Sequence, residues 1–216
     1  MNGSKVKNTI GFVVCLLILA VLAYFMFFED KVVRRGIKGI PEPVQTEASG
    51  GTSFSKAGYD VNIEYKYSYE IEALVVHTHK YGGTGLGDQL SPLDLGLAWG
   101  KVAEYNDKID FHWSQGNRWL NWETDSYNDI AVIGGENEVM RQASNNHIIP
   151  ADTSVKRKVM KIHAGDRVRL TGYLVNVNAE KPNGTTFWWN SSTSRDDTGA
   201  HACEVFYVTK VEVDNN

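Results

Sequence analysis

The chain is poor in cysteine: Cys15 and Cys203 are the only two among 216 residues. Cys15 lies in an apolar run near the N-terminus and Cys203 in a strand-like segment near the C-terminus. The sequence therefore predicts no internal disulfide. Positive charge is also scarce where a nucleic-acid binder would need it. From residue 59 onward there are 15 Lys and Arg against 22 Asp and Glu. Phosphate neutralisation requires clustered cations, so nucleic acid is excluded as the main partner. One basic cluster exists, Lys156, Arg157, Lys158 and Lys161. Val155, Val159 and Ile162 recur among these at helical spacing, which predicts the solvated face of a short packed helix.

Charge is absent altogether from 10–28, which reads IGFVVCLLILAVLAYFMFF. At about 1.5 Å per residue such a helix is roughly 28 Å long, close to the hydrocarbon thickness of a bilayer. A cleaved signal peptide is the alternative, with Val21 and Ala23 as small residues before a cut. The aromatic residues that follow at once favour an uncleaved anchor. The expected organisation is an N-terminal tail (1–9), a transmembrane anchor (10–28), a flexible linker (29–58) and one β-rich domain (59–216). The linker expectation rests on the Gly, Ser, Thr and Pro content of KGIPEPVQTEASGGTSFSKAG. Lys31, Arg34, Arg35 and Lys38 follow the span, and the positive-inside rule applied to them places the domain in the cytoplasm. Long domains can translocate regardless of such charges, so orientation stays open on charge alone.

Hydrophobic periodicity predicts an α+β, β-rich domain: a mainly antiparallel sheet or a small OB-like barrel with a few short helices. Val61, Ile63, Tyr65, Tyr67, Tyr69, Ile71 and Ala73 alternate with polar residues, and His77 and His79 continue the strand. Ser91-Pro92-Leu93-Asp94 reads as a helix start, with Leu93, Leu97 and Val102 as its inner stripe. Ile109, Phe111 and Trp113 read as a strand, 114–117 as a turn, and Arg118, Leu120 and Trp122 as the next strand. Ile130 to Ile133 reads as a strand and Glu136 to Ala143 as a helix ended by Asn145-Asn146-His147. Arg167 to Val177, Thr185 to Ser192 and Cys203 to Val213 supply three further strands. The cadence GDRVRLTGYLV fits the opening of an OB-like or SH3-like barrel.

No decisive catalytic motif is present. The Gly82 to Gly87 stretch lacks the Lys-Ser/Thr of a phosphate loop. Ser192, His147 and Asp197 are the residue types of a hydrolase triad, but no G-x-S-x-G surrounds the serine. Cys203 with His147 or His201 could pair a nucleophile with a base, yet Cys203 opens an apolar strand where a cysteine is usually a small core residue. His77 and His79 share a strand face and suit a Zn²⁺ or Cu²⁺ ion, with no third ligand nearby in sequence. No cofactor is indicated. The densest polar set lies between two strands, from Trp188 to Glu204. Arg195 pairing with Asp197 or Glu204 would brace that connection. Alternatively Trp189, Ser192, Arg195, Asp197 and His147 would form a binding rim.

The motifs Leu97-Ala98-Trp99-Gly100, Arg118-Trp119 with Trp122, and Asn146-His147-Ile148-Ile149-Pro150 occur in order. So do Gly165-Asp166-Arg167-Val168, Gly172-Tyr173-Leu174-Val175, and Trp189, Ser191, Ser192, Arg195, Asp197, Thr198, Gly199 and Cys203-Glu204. From about Leu93 to Val213 the chain thereby resembles a family of uncharacterised bacterial proteins with an N-terminal membrane segment and an OB-like C-terminal region. His201 departs from the pattern, where small residues are expected. The resemblance implies a single-pass protein of the bacterial cell membrane with an envelope-facing domain. It carries no activity. The expectation is a tethered binding or assembly module that contacts a protein or a cell-wall glycan. The alternative is a membrane-anchored hydrolase or metal-dependent enzyme using His147 with Cys203, or His77 with His79.

Overall fold

The longest element is a strand of 22 residues, β3 (Tyr59–Lys80), and the rest of the sheet is organised along it. The computed structural model describes residues 34–194 and 203–214, and Cys15, which lies in a helix. The expected anchor at 10–28 lies outside the described residues except for Cys15, as do Arg195, Asp197 and His201. Among the described residues no helix is long and apolar enough to cross a membrane.

The chain order is β1 (Val44–Glu47), β2 (Gly51–Lys56), β3, α1 (Leu86–Leu90), β4 (Leu93–Ala98), α2 (Gly100–Tyr105), β5 (Ser114–Gly116) and β6 (Trp119–Asn121). There follow a 3₁₀ turn (Asp129–Val132), α3 (Glu136–Arg141), β7 (Ala143–Pro150), α4 (Thr153–Val159), β8 (Arg167–Glu180), β9 (Thr186–Asn190) and β10 (Cys203–Asp214). The fold is β-rich with short helices and a mixed sheet. Its hydrogen-bonded path runs β3–β4–β7–β10–β8 and returns to β3, because β3 pairs with β4 through 74–80 and with β8 through 60–74. The β7–β10 pair is parallel and the other pairs on the path are antiparallel. A closed path leaves its strands no open edges to template further pairing.

Two cores follow from one irregularity. A bulge between Tyr65 and Tyr67 inserts a residue into β3, so odd-numbered positions on either side of it face opposite ways. Tyr69, Ile71 and Ala73 join Leu93, Leu95, Leu97, Ile148, Leu174 and Phe206 in the main core, which α2 and α4 cover with Val102, Val155 and Val159. Val61 and Ile63 instead join Val175, Val177, Ile149 and Val205 in a second core under Leu86 and Leu90 of α1. Each fully buried aliphatic side chain contributes about 1.5–3 kcal/mol.

The strands expected over 60–79, 167–177, 185–192 and 203–213 form, as do helices at 136–141 and 153–159. Five expectations are corrected. The 29–58 linker carries β1 and β2 on β3 and buries Ile37 and Ile40. Short strands need little core of their own when a long neighbour supplies their hydrogen bonds. Leu93–Ala98 is a strand, because this segment is buried on both faces and pairs on both sides. Ser91 ends α1 instead of starting a helix. Ile130 and Ile133 bury their side chains from a 3₁₀ turn. Ile109 and Phe111 are buried outside any strand; β5 occupies the expected turn at 114–116, and the turn itself falls on Asn117 and Arg118. Asn145–His147 lies inside the central strand β7, where side-chain hydrogen bonds accommodate the amides.

Candidate binding site on the barrel wall

Strand alternation divides the β4–β7–β10 wall. Leu93, Leu95 and Ile148 face the main core, so Asp94, Gly96, Asn145 and His147 face the other way, with Cys203 and Val205 beside them. His77 and His79 join this face, since a bulge between Val75 and His77 brings them opposite Gly96 and Asp94. The wall is roofed by the β5–β6 hairpin and by Trp189 of β9. Gly96 permits the hairpin to seat: a Cβ there would meet Leu120 Cδ1 at 2.7 Å.

The hairpin turn is two residues long, and both have positive φ, Asn117 at 50° and Arg118 at 69°. Such a turn favours Asn-Gly, and a long side chain at the second position is strained. Arg118 is nonetheless placed there, and its side chain accounts for the choice. Nη1 donates to Asp94 Oδ1 at 2.7 Å and Nη2 to Asp88 Oδ1 at 2.5 Å. Both nitrogens also reach the Ser91 carbonyl at 3.0 Å. The guanidinium lies 3.5 Å from the centroid of the Tyr81 ring and 5.3 Å from that of Trp189. The backbone N–H of Arg118 donates to the Tyr81 hydroxyl at 3.2 Å. Burial, then the nearby Asp94 carboxylate, pushes the Tyr81 phenol up to about 12.

Asp94 is fully buried, a costly position for a carboxylate unless it is paired. His147 Nδ1 stands 3.0 Å from Asp94 Oδ1, at ion-pair distance but without hydrogen-bond alignment. The His147 ring lies 4.5 Å from the Trp189 ring and is itself 3 % exposed. Asp94 Oδ2 has no hydrogen-bond partner among the described residues. Two carboxylates, Asp88 and Asp94, thus face the one guanidinium of Arg118.

A second chain of amides anchors the hairpin. His77 Nδ1 is 3.0 Å from Gln115 Oε1, Gln115 Nε2 donates to Asn145 Oδ1 at 2.5 Å, and Asn145 Nδ2 donates to the Arg118 carbonyl at 2.8 Å. His79 packs against Tyr81 with ring centroids 4.6 Å apart. His77 and His79 thus share a face but serve different neighbours. Among the described residues, the His and carboxylate ligand atoms that converge within 4.8 Å are those of Asp110, His112 and Asp125. That trio already has partners: Arg34 bonds to Asp110, and His112 bonds to Asp125.

Cys203 Sγ lies 3.7 Å from both Asn145 Nδ2 and the Arg118 carbonyl oxygen. In the ladder Cys203 sits opposite Asn145, whereas His147 faces Val205, so the thiol and the imidazole are offset along the wall. Ser192 is buried and forms a local turn, its Oγ donating to the Ser194 carbonyl at 3.2 Å. Of the residues singled out in the sequence, His147, Trp189 and Cys203 come together on this wall. Asp94, Asp88, Tyr81 and Asn145 were missed. The available signal was an acid inside the apolar run L-D-L-G-L, where an unpaired carboxylate would not be tolerated. No family model, curated protein or solved structure matches the chain.

Proposed function

We propose that the chain is a membrane-tethered binding or assembly module of the bacterial cell envelope, and that its domain is an OB-like barrel that uses the wall of β4 and β7 to contact a protein partner or a cell-wall glycan. The observation that carries this reading is the convergence of Arg118, His147 and Trp189 around the buried Asp94, with Cys203 against the Arg118 carbonyl further along the wall. Arg118, His147, Trp189 and Cys203 belong to the short motifs by which the chain resembles envelope-facing bacterial proteins, and they are dispersed over 86 residues of sequence, counting from Arg118 to Cys203. β4 and β7 are the second and third strands of the closed path, the face on which OB barrels hold oligomeric ligands. Trp189, half-buried at the edge of the wall, offers an aromatic contact. The offset of Cys203 from His147 favours binding over nucleophilic catalysis.

The test is photo-crosslinking in intact cells, with a benzophenone side chain replacing Trp119 at the hairpin rim of the full-length protein. A discrete envelope adduct that disappears on adding Trp189→Ala supports the reading. Equal labelling from the exposed Tyr127, or none from the rim, counts against it.

A further inference from the structure

Alternation in the long strands leaves a second surface, on the side away from the second core. Val61, Ile63, Val177 and Ala179 point into that core, while their neighbours Asp60, Asn62, Asn178 and Glu180 are exposed on the opposite face. The register aligns these exposed residues into rows that cross four strands. One row is Ser53, Asn62, Asn178 and Trp188; the next is Ser55, Asp60, Glu180 and Thr186. Ser53 Oγ donates to Asn62 Oδ1 at 3.0 Å and Ser55 Oγ to Asp60 Oδ1 at 3.1 Å, so both rows are held from the β2 side. An open groove of about 600 Å³ is lined by Asp60, Asn62, Asn178, Glu180, Thr186 and Trp188 of these rows.

Two features of the groove oppose stability. Trp188 is 67 % exposed, although Phe187 and Trp189 on either side of it pack on the second core. Leaving a large aromatic in water forgoes the favourable burial that its neighbours gain. Asp60 and Glu180 stand directly opposite each other, a like-charge cross-strand pair that is unfavourable. Lys181 does not sit between them as a bridge; its ammonium lies 4.5 Å from the centroid of the Tyr59 ring.

We infer that this groove binds a neutral glycan strand, with one sugar ring stacked on Trp188 and its neighbours hydrogen-bonded to the amide and carboxylate rows. The inference rests on the envelope reading above and adds a ligand class and a surface distinct from the β4–β7 wall. Strands are about 4.8 Å apart, comparable to the length of one sugar unit, so successive sugars along the row meet Asn178 and then Asn62. Amides both donate to and accept from hydroxyl and acetamido groups, and carboxylates accept from paired hydroxyls. The same carboxylates repel phosphate-bearing polymers. A small organic cation would engage Asp60 and Glu180 but leave the amide row unused.

Full-length protein in detergent is co-sedimented with purified peptidoglycan sacculi and titrated calorimetrically with soluble N-acetylglucosamine oligomers. The wild type is expected to bind both. Trp188→Ala is expected to weaken oligomer binding about tenfold or more, and Trp188→Phe to restore part of it. Asn178→Ala, exposed and remote from both cores, is expected to weaken it by a smaller factor. Unchanged binding in Trp188→Ala, absence of wild-type binding to either glycan, or wild-type binding to polylysine in place of glycan would each overturn the inference. The rim crosslinking from Trp119 tests the envelope reading separately, so failure of glycan binding at Trp188 with the rim adduct intact overturns this inference alone.

Discussion

Arg118 and Asp94 meet at 2.7 Å across the junction between the hairpin and the barrel wall, and Asp94 is the more deeply buried partner, with its side chain 1 % exposed against 19 % for Arg118. Their environments make the pair asymmetric. The arginine keeps a path to water and a second carboxylate, Asp88; the aspartate has neither.

Truncating the arginine should therefore cost more than a surface ion pair would. Arg118→Ala leaves Asp94 buried with only the Ser91 hydroxyl and the unaligned His147 ring beside it, and the expected loss is about 3–5 kcal/mol. Arg118→Lys keeps a charge but gives up the fork that spans Asp88 and Asp94, so it should fall between alanine and wild type. Urea unfolding followed by tryptophan fluorescence measures both. A loss in Arg118→Ala below about 1 kcal/mol, the range of an exposed pair, would mean that Asp94 is solvated.

Gly172 provides a packing test. A Cβ at this position would run into the Tyr207 carbonyl of β10, a backbone atom that cannot rotate away. Gly172→Ala should destabilise the fold by about 1–3 kcal/mol and loosen the β8–β10 ladder. Amide hydrogen exchange should quicken around Val208 and Leu174, and protection equal to wild type would refute the close approach.

Alkaline pH should weaken the site through Tyr81. Its phenol is raised from the ordinary 10.0 to about 12, so the folded protein holds the proton where the unfolded chain releases it. The stabilisation is complete below pH 10 and declines as pH rises toward 12. Burial also raises Tyr65 and Tyr207, so ultraviolet difference titration should show a late-ionising group of tyrosines from which Tyr81→Phe removes one step. Asp94→Asn removes a neighbouring charge and should bring that transition down, and an unmoved transition would contradict the assignment.

His112 gives the corresponding test at neutral pH. Its hydrogen bond to Asp125, aided by the Asp110 charge, raises the imidazole above the ordinary 6.5. Its stabilising effect is complete below that value and fades as pH rises through the raised one. The proton NMR titration of His112 should shift downward in Asp125→Asn; an identical curve would show that the contact does not persist in solution.

The sheet was legible wherever one face is buried and the other wet, as in β3, β8 and β10, because alternation then reports burial directly. It was illegible in Leu93–Ala98, buried on both faces, where Ser91 and Pro92 mimic a helix start. Composition misread 34–58, since the hydrogen bonds of β1 and β2 come from β3 and leave no trace in their own residues. The site was partly visible: His147, Trp189 and Cys203 stood out by residue type. Asp94 did not, because what makes it notable is the arginine that arrives from 24 residues downstream. Nor did the face led by Trp188, which depends on the register of four strands.

The proposed envelope role requires this domain to lie outside the cytoplasm, against the Lys and Arg that follow the apolar run at 10–28. A reporter pair fused at the C-terminus of the full-length chain tests that placement most directly. The account predicts active alkaline phosphatase and a dark green-fluorescent-protein fusion. Fluorescence with inactive phosphatase would put the domain in the cytoplasm and contradict the envelope module.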